Sequence, residues 1–279
     1  MPTVVLSTGR CGTQWLTATL KELYGDRIRV EHEPLGALYS PRRFFRTYAE
    51  PEAILEVPEV RAHLEAVAAA ERPYVETGWP LFAALPLLAA VFGPALRVIH
   101  LTRHPVPSAL SHMVHNCFAG SARDDPYTRL ATLGPADPRV FQPEYAARWD
   151  ELTAYEKCLF WITEVGMFGL EFEERHPEIP FLRIQSERML AGDRATLSAL
   201  AEQMQLDWDE RWVEHTSTRV DQWHHRSDVD VDPLLIERHP RALATAERLG
   251  YRGAEVDPEA LRARYRASPS DRSGAAASR

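Results

Sequence analysis

Two short stretches carry residue types suited to holding anions. In Ser7-Thr8-Gly9-Arg10-Cys11-Gly12-Thr13, glycines at 9 and 12 bracket an arginine. Such a loop, entered from a strand and leaving into a helix, lets backbone N–H groups converge on an anion at the helix N-terminus. Arg10 adds a planar donor fork suited to phosphate or sulfate oxygens, and Thr13 a hydroxyl at the helix start. The second stretch, Thr102-Arg103-His104-Pro105, ends an apolar run and supplies another arginine. A third β-like run stops at His32-Glu33-Pro34, where the proline disfavours helix at the residue before it. Chemistry often gathers at strand ends of this kind.

Several other chemistries fail on spacing. A Walker A loop needs G-x-x-x-x-G-K-[ST], and no lysine follows a second glycine in that register, which disfavours ATP with magnesium. A C-x5-R phosphatase loop counted from Cys11 meets Thr17 where the arginine belongs, so Cys11 reads as a small loop residue. His100, His104, His112 and His115 fall in no H-E-x-x-H or Cys/His pattern, and no metal is expected. The formal net charge of −8 argues against nucleic acid or an anionic membrane as the main partner.

These stretches need elements to position them. With 279 residues, 45% hydrophobic and 26% charged, the chain has the composition of a globular protein with room for one large core. Its longest apolar stretch, Pro80 to Leu96, holds three prolines and a glycine and reads as a buried segment rather than a membrane span. Cys11, Cys117 and Cys158 are an odd, widely spaced set, and no signal-peptide pattern opens the chain, so a reducing, cytoplasmic setting is expected. Strand patterns fall at 3–6, 27–31, 73–77, 97–101 and 181–184. Helical spacing falls at 13–24, 52–72, 80–92, 107–118, 145–175, 193–206 and 240–250, with a surface loop or lid at 120–143 and a disordered tail at 267–279. Alternation of this kind predicts βαβ units and one mainly parallel sheet, with ligands at the carboxyl ends of its strands.

Read together, the stretches resemble a known family. Ser7-Thr8-Gly9-Arg10-Cys11-Gly12-Thr13-Gln14-Trp15-Leu16 is similar to the 5′-phosphosulfate loop of sulfotransferases that use 3′-phosphoadenosine 5′-phosphosulfate (PAPS). The segment from Val98 to Ser111 resembles the family's 3′-phosphate segment: an apolar strand, Arg103, Pro105, then Ser111 eight residues after the arginine. The resemblance covers roughly residues 3 to 190. It implies an α/β fold, with a P-loop-like, mainly parallel sheet flanked by helices on both faces, as a single sulfotransferase-like domain over 1–266. It implies transfer of a sulfuryl group from PAPS to a hydroxyl of a small-molecule or glycan acceptor, leaving 3′-phosphoadenosine 5′-phosphate without a metal. An inactive nucleotide-binding relative and a P-loop kinase-like phosphotransferase are the alternatives.

The resemblance also assigns residues. Arg10, Cys11, Gly12, Thr13 and Gln14 would hold the 5′-phosphosulfate, Trp15 would stack on adenine, and Arg103 and Ser111 would take the 3′-phosphate. Some positions depart from the family: His104 replaces an Asp or Asn, and Ser186 stands where a tyrosine is usual. The C-terminal Arg-Lys-Gly segment of the cytosolic branch is missing, which leaves Arg219 or Arg226 as substitutes. That branch takes its base from a histidine in Lys-Thr-His-x-Pro, where this chain has Glu76-Thr77-Gly78-Trp79-Pro80. The carbohydrate- and tyrosylprotein-type branches instead place a glutamate about 21 residues after the loop's basic residue, in some members as Glu-Pro. Glu33, followed by Pro34, is therefore the first candidate base; Glu31, 21 residues after Arg10, is the second, then His32 and Glu76. His224 and His225, the loop 113–143 and the segment 207–235 are candidates for shaping the acceptor site.

Overall fold

The computed structural model describes residues 1–36, 55–115, 117, 133–137, 139–217, 232–252 and 256–265. Strand β1 (Pro2–Ser7) leads into α1 (Thr13–Tyr24), then β2 (Arg29–His32), α2 (Pro58–Ala68) and β3 (Tyr74–Thr77). A 3-10 turn at Pro80–Ala84 precedes α3 (Leu85–Phe92), β4 (Arg97–Thr102) and α4 (Pro105–Val114). After a 3-10 segment at Pro143–Glu151 come α5 (Ala154–Arg175), β5 (Phe181–Gln185), α6 (Ser186–Leu190), α7 (Arg194–Gln203), α8 (Arg211–His215), α9 (Pro240–Arg248) and α10 (Pro258–Tyr265).

The five strands form one sheet in the order β2-β3-β1-β4-β5, every neighbouring pair parallel. Alternation along the strands sorts side chains to two buried faces. Val4, Leu6 and Val98 pack with Leu88 of α3, Ala109 of α4 and Trp161 of α5. Val5, Ile99 and Leu101 pack with Leu16 and Leu20 of α1 and Leu200 of α7. Helices therefore cover both faces, as the run Arg97 to Leu101 predicts.

Chain order fixes where a ligand can sit. From β1 the chain passes through α1 to β2 on one side, whereas from β4 it passes to β5 on the other. The carboxyl ends of β1 and β4 are thus the topological switch point, where parallel α/β sheets bind ligands. Ser7 pairs with Leu101 there, so Gly9–Gly12 and Arg103 emerge side by side.

One departure from the sequence reading has a local cause. The stretch 145–175 is not one helix: Leu152 and Thr153 are extended, and Thr153 with Glu156 forms a capping box that starts α5 afresh. The last strand, Phe181–Gln185, lies where expected, and Ser186 begins a short helix after it. Most of the expected 120–143 loop, the 218–231 part of the acceptor segment and the 267–279 tail lie outside the described residues. Among the described residues, no helix is long and apolar enough to cross a membrane.

Glu164 of α5 anchors the segment that returns to this helix. Only 1% exposed, it accepts from Phe141 N at 2.8 Å and Gln142 Nε2 at 3.0 Å. Burial raises its carboxyl from an ordinary 4.5 to about 7 against the pull of those hydrogen bonds. The folded chain then holds a proton that the unfolded chain has released, so its contribution to stability is lost as pH climbs from the unfolded value through about 7. Glu164→Gln loses one accepting oxygen at any pH, yet its stability relative to the parent is expected to be higher at pH 8.5 than below pH 5; the ceiling on that difference is on the order of 3 kcal/mol. A stability relative to the parent that is equal at both pH values in thermal melts would contradict this.

Candidate functional site

The turn after β1 is a left-handed loop. Gly9, Arg10 and Gly12 have φ of 81°, 57° and 91°, a run that lets successive N–H groups face one way. Gly12 caps α1 with no side-chain hydrogen bond, and no acid lies in the helix's first turn. The loop is held from behind. The Thr8 carbonyl faces His112 Nε2 at 2.9 Å and accepts from Trp161 Nε1 at 3.1 Å, while the Gly9 carbonyl accepts from Thr8 Oγ1 at 2.9 Å and Cys11 Sγ at 3.1 Å. With these carbonyls, and the Gly9 N–H on Ser7 Oγ at 3.1 Å, engaged inside the protein, the N–H groups of Arg10 to Gln14 are the loop's candidate contacts for an anion.

His112 has a carbonyl before each ring nitrogen, since Nδ1 lies 2.8 Å from Ser108 O. Those contacts favour the charged ring. Burial, the larger effect, and the nearby Arg10 and Arg103 bring it down to about 4, so the ring is neutral at pH 7 and gives its one proton to one carbonyl. Cys11 is 1% exposed, and burial lifts its thiol to about 11, which leaves it a backbone role.

Arg103 joins the second motif to the first. Its Nη1 donates to the Arg10 carbonyl at 2.9 Å, and Arg10 Nε donates to Ser111 Oγ at 3.3 Å. Arg10, Arg103 and Ser111 thus form one group across the switch point. Among the described residues Arg103 has no carboxylate partner, and this hydrogen bond engages one of its five donors, which leaves others for a ligand or solvent. His104 fills the place of an Asp or Asn: its Nδ1 accepts from Val106 N at 3.3 Å and caps α4. The other ring nitrogen faces Arg252 O at 3.3 Å, and His104 N donates to Glu187 Oε1 at 2.9 Å.

Trp15 is 4% exposed, packs its ring against Trp212 at 6.2 Å and donates from Nε1 to His215 O at 2.9 Å; Gln14 is exposed beside it. A site element that spacing alone does not reveal is a cavity of about 530 Å³ beyond β4 and β5, bordered by His104, Gln185, Glu187, Tyr251 and Arg252. The chain near 250 returns to this edge because the Tyr251 hydroxyl sits between Thr102 Oγ1 at 3.0 Å and Glu187 Oε2 at 3.1 Å.

The carboxylates separate. Glu33 follows β2 with φ 50°, its N–H bound to Thr77 O at 2.9 Å and its Oε1 3.5 Å from Trp79 N. Burial raises its pKa above the usual carboxylate range, opposed by the Trp79 N–H. Trp79 also adjoins the loop, since a Cβ on Gly9 would lie 3.3 Å from Trp79 Cβ. Glu33 and the loop therefore share one wall. Gly78, with φ 142°, makes room for this carboxylate: a Cβ there would come within 2.4 Å of Glu33 Cγ.

Glu31 is not brought to this group. Arg29 Nε holds its Oε1 at 2.8 Å, and Tyr74 OH lies 3.1 Å from its Oε2. Glu76, 3% exposed, lies in the same cluster beside Tyr74 OH at 2.8 Å and His63 Nε2 at 3.2 Å. His32 lies beside Glu33, with Nε2 at 3.7 Å from Oε1. Arg219, Arg226, His224 and His225 fall outside the described residues. No cluster suited to a metal ion occurs among the described residues.

The tight fit between Gly78 and Glu33 is measurable. Gly78→Ala alone is expected to cost about 1–3 kcal/mol from strain and the clash. In a Glu33→Ala background the cost is expected to fall by at least about 0.5 kcal/mol, because Cγ is gone. Additive losses in denaturant melts of the double-mutant cycle would rule out this packing.

No family model and no curated protein sequence matches the chain. Among solved structures, the sulfotransferase domain from the curacin biosynthetic pathway aligns with 13% identity and a TM-score of 0.51, over 90% of this chain and 98% of that one. The sulfotransferase domain from the Synechococcus PCC 7002 olefin synthase aligns at 14% identity and TM-score 0.46, over 95% of this chain and 93% of that one. Mouse sulfotransferase SULT7A1 complexed with PAP aligns at 15% identity and TM-score 0.43, over 98% and 81%. At such identities the likeness is one of fold. With its parallel five-stranded sheet and helices on both faces, the chain has an α/β fold of the sulfotransferase type.

Proposed function

We propose that this protein transfers a sulfuryl group from PAPS to a hydroxyl of a small-molecule or glycan acceptor, releasing 3′-phosphoadenosine 5′-phosphate. The observation that carries the reading is the meeting of Arg10, Arg103 and Ser111 at the switch point, with Glu33 across the shared Trp79 wall. A nucleotide with phosphate at both ends suits two adjacent arginines and a loop of N–H groups. The N–H groups of Arg10 to Gln14 hold the 5′-phosphosulfate, Arg103 and Ser111 take the 3′-phosphate, and Trp15 borders the adenine. The domain extends over 1–266 and works in the reducing cytoplasm, in keeping with the free thiols of its three buried cysteines.

In the reaction Glu33 takes the acceptor's hydroxyl proton as that oxygen bonds to sulfur. The sulfur–oxygen bond to the 5′-phosphate breaks in line, and Arg10 with the loop N–H groups meets the charge left on the phosphate. Positioning and charge do most of the work, and no metal is needed. Because the carboxylate must be ionised, turnover falls on the acid side at a pH above that of a solvent-exposed glutamate.

Calorimetry with PAP, PAPS and Mg·ATP tests the reading: metal-free binding of the first two is expected, and preference for Mg·ATP overturns it. Arg103→Ala is expected to weaken PAP about tenfold more than adenosine 5′-phosphosulfate, which lacks the 3′-phosphate. Glu33→Gln is expected to lose about 10²–10⁴ in turnover while binding PAP within twofold of the parent. Undiminished turnover would remove Glu33 as the base.

A further inference from the structure

A chain of hydroxyls runs from α1 through β3 to His32. Thr17 Oγ1 has one proton and lies 2.8 Å from Thr13 O. Thr77 Oγ1 lies 2.5 Å from Thr17 Oγ1, a contact that needs a proton between the oxygens from either hydroxyl; with the Thr17 proton on Thr13 O, Thr77 supplies it. The Glu31 carbonyl, at 3.4 Å, is too distant to compete for it. Thr77 Oγ1 can then only accept from His32 Nδ1, which is 2.9 Å away. In that arrangement the proton of the neutral ring sits on Nδ1 and Nε2 carries a bare lone pair. That nitrogen faces Glu33 Oε1 at 3.7 Å.

Resting on the sulfuryl-transfer reading, we propose that His32 is a positioning and proton-relay residue for Glu33, with its tautomer set by Thr17 and Thr77. In the relay, Glu33 first gains the acceptor's proton as a carboxylic acid. Its O–H bond then breaks, the proton bonds to His32 Nε2, and the carboxylate is restored. The resulting imidazolium keeps Nδ1–H on Thr77 and, with its side chain 25% exposed, gives a proton to water. The distance of 3.7 Å is longer than a hydrogen bond, and a modest rotation of Glu33 closes it, as catalytic contacts tighten when substrate binds.

The surroundings keep the ring ready to accept. Burial lowers its pKa from the ordinary value, Lys21 of α1 lowers it further, and hydrogen bonding to the Thr77 backbone opposes both. Lys21, Glu33 and the hydroxyls of Thr17 and Thr77 are the groups that face it from α1, β3 and its own segment. At pH 7 the ring is neutral and Nε2 is open to a proton.

Nitrogen-15 spectra of the imidazole rings of the whole protein test this without an acceptor. The His32 signals are identified by their loss in both His32→Gln and His32→Asn. The Nδ1–H tautomer is expected at pH 7.5, and Thr77→Val is expected to admit the Nε2–H form. Glu33→Gln is expected to lower the His32 midpoint by at least about half a pH unit, because a neighbouring negative charge is lost. An Nε2–H ring in the parent, or a midpoint unmoved by Glu33→Gln, would overturn the relay. PAP calorimetry on the same samples separates the two claims: absent PAP binding defeats the sulfuryl-transfer reading alone, and intact PAP binding with an Nε2–H ring defeats the relay alone.

Discussion

The tie from Arg103 to the Arg10 carbonyl is the interaction on which the site depends. It spans the two strands at whose ends the chain diverges and ties the second motif's side chain to the first motif's backbone. The fold builds this arrangement firmly: β1 and β4 pair over five residues each, and the Thr8 carbonyl is pinned by His112 and Trp161 from helices on the same face. The net charge of −8 and the local pair of arginines are thus compatible, because the first describes the whole surface and the second one strand edge.

Much of this arrangement is legible in the sequence, for physical reasons. Val4 to Leu6 and Val98 to Leu101 are apolar enough to be read as strands buried on both faces, and the glycines at 9 and 12 mark a left-handed turn. The break before α5 is also written there, as Thr153 with Glu156 three residues later, although the aromatic spacing around it suggests continuity. His104 looks like a departure from a pattern until its ring nitrogen is seen to cap α4 as an aspartate would.

Other features arise only from distant contacts. Strand order cannot be read from strand patterns, and without it Glu31, His32 and Glu33 are equal neighbours. Pairing of β2 with β3 sends Glu31 to Arg29 and Tyr74, His32 to Thr77 and Glu33 to Trp79. The hydroxyl chain joins residues 17, 32 and 77, each unremarkable by itself. The return of Tyr251 to the edge of β4 and β5 likewise depends on Thr102 and Glu187, far from it in sequence.

The contact between Gly78 and Glu33 limits how this strand edge can change by mutation. The Glu33 side chain fills a small volume at this strand edge, so a side chain at residue 78 enters it only at a cost in stability. Exchanging which of the two positions carries the side chain therefore takes two replacements, with an overfilled or a vacant edge between them.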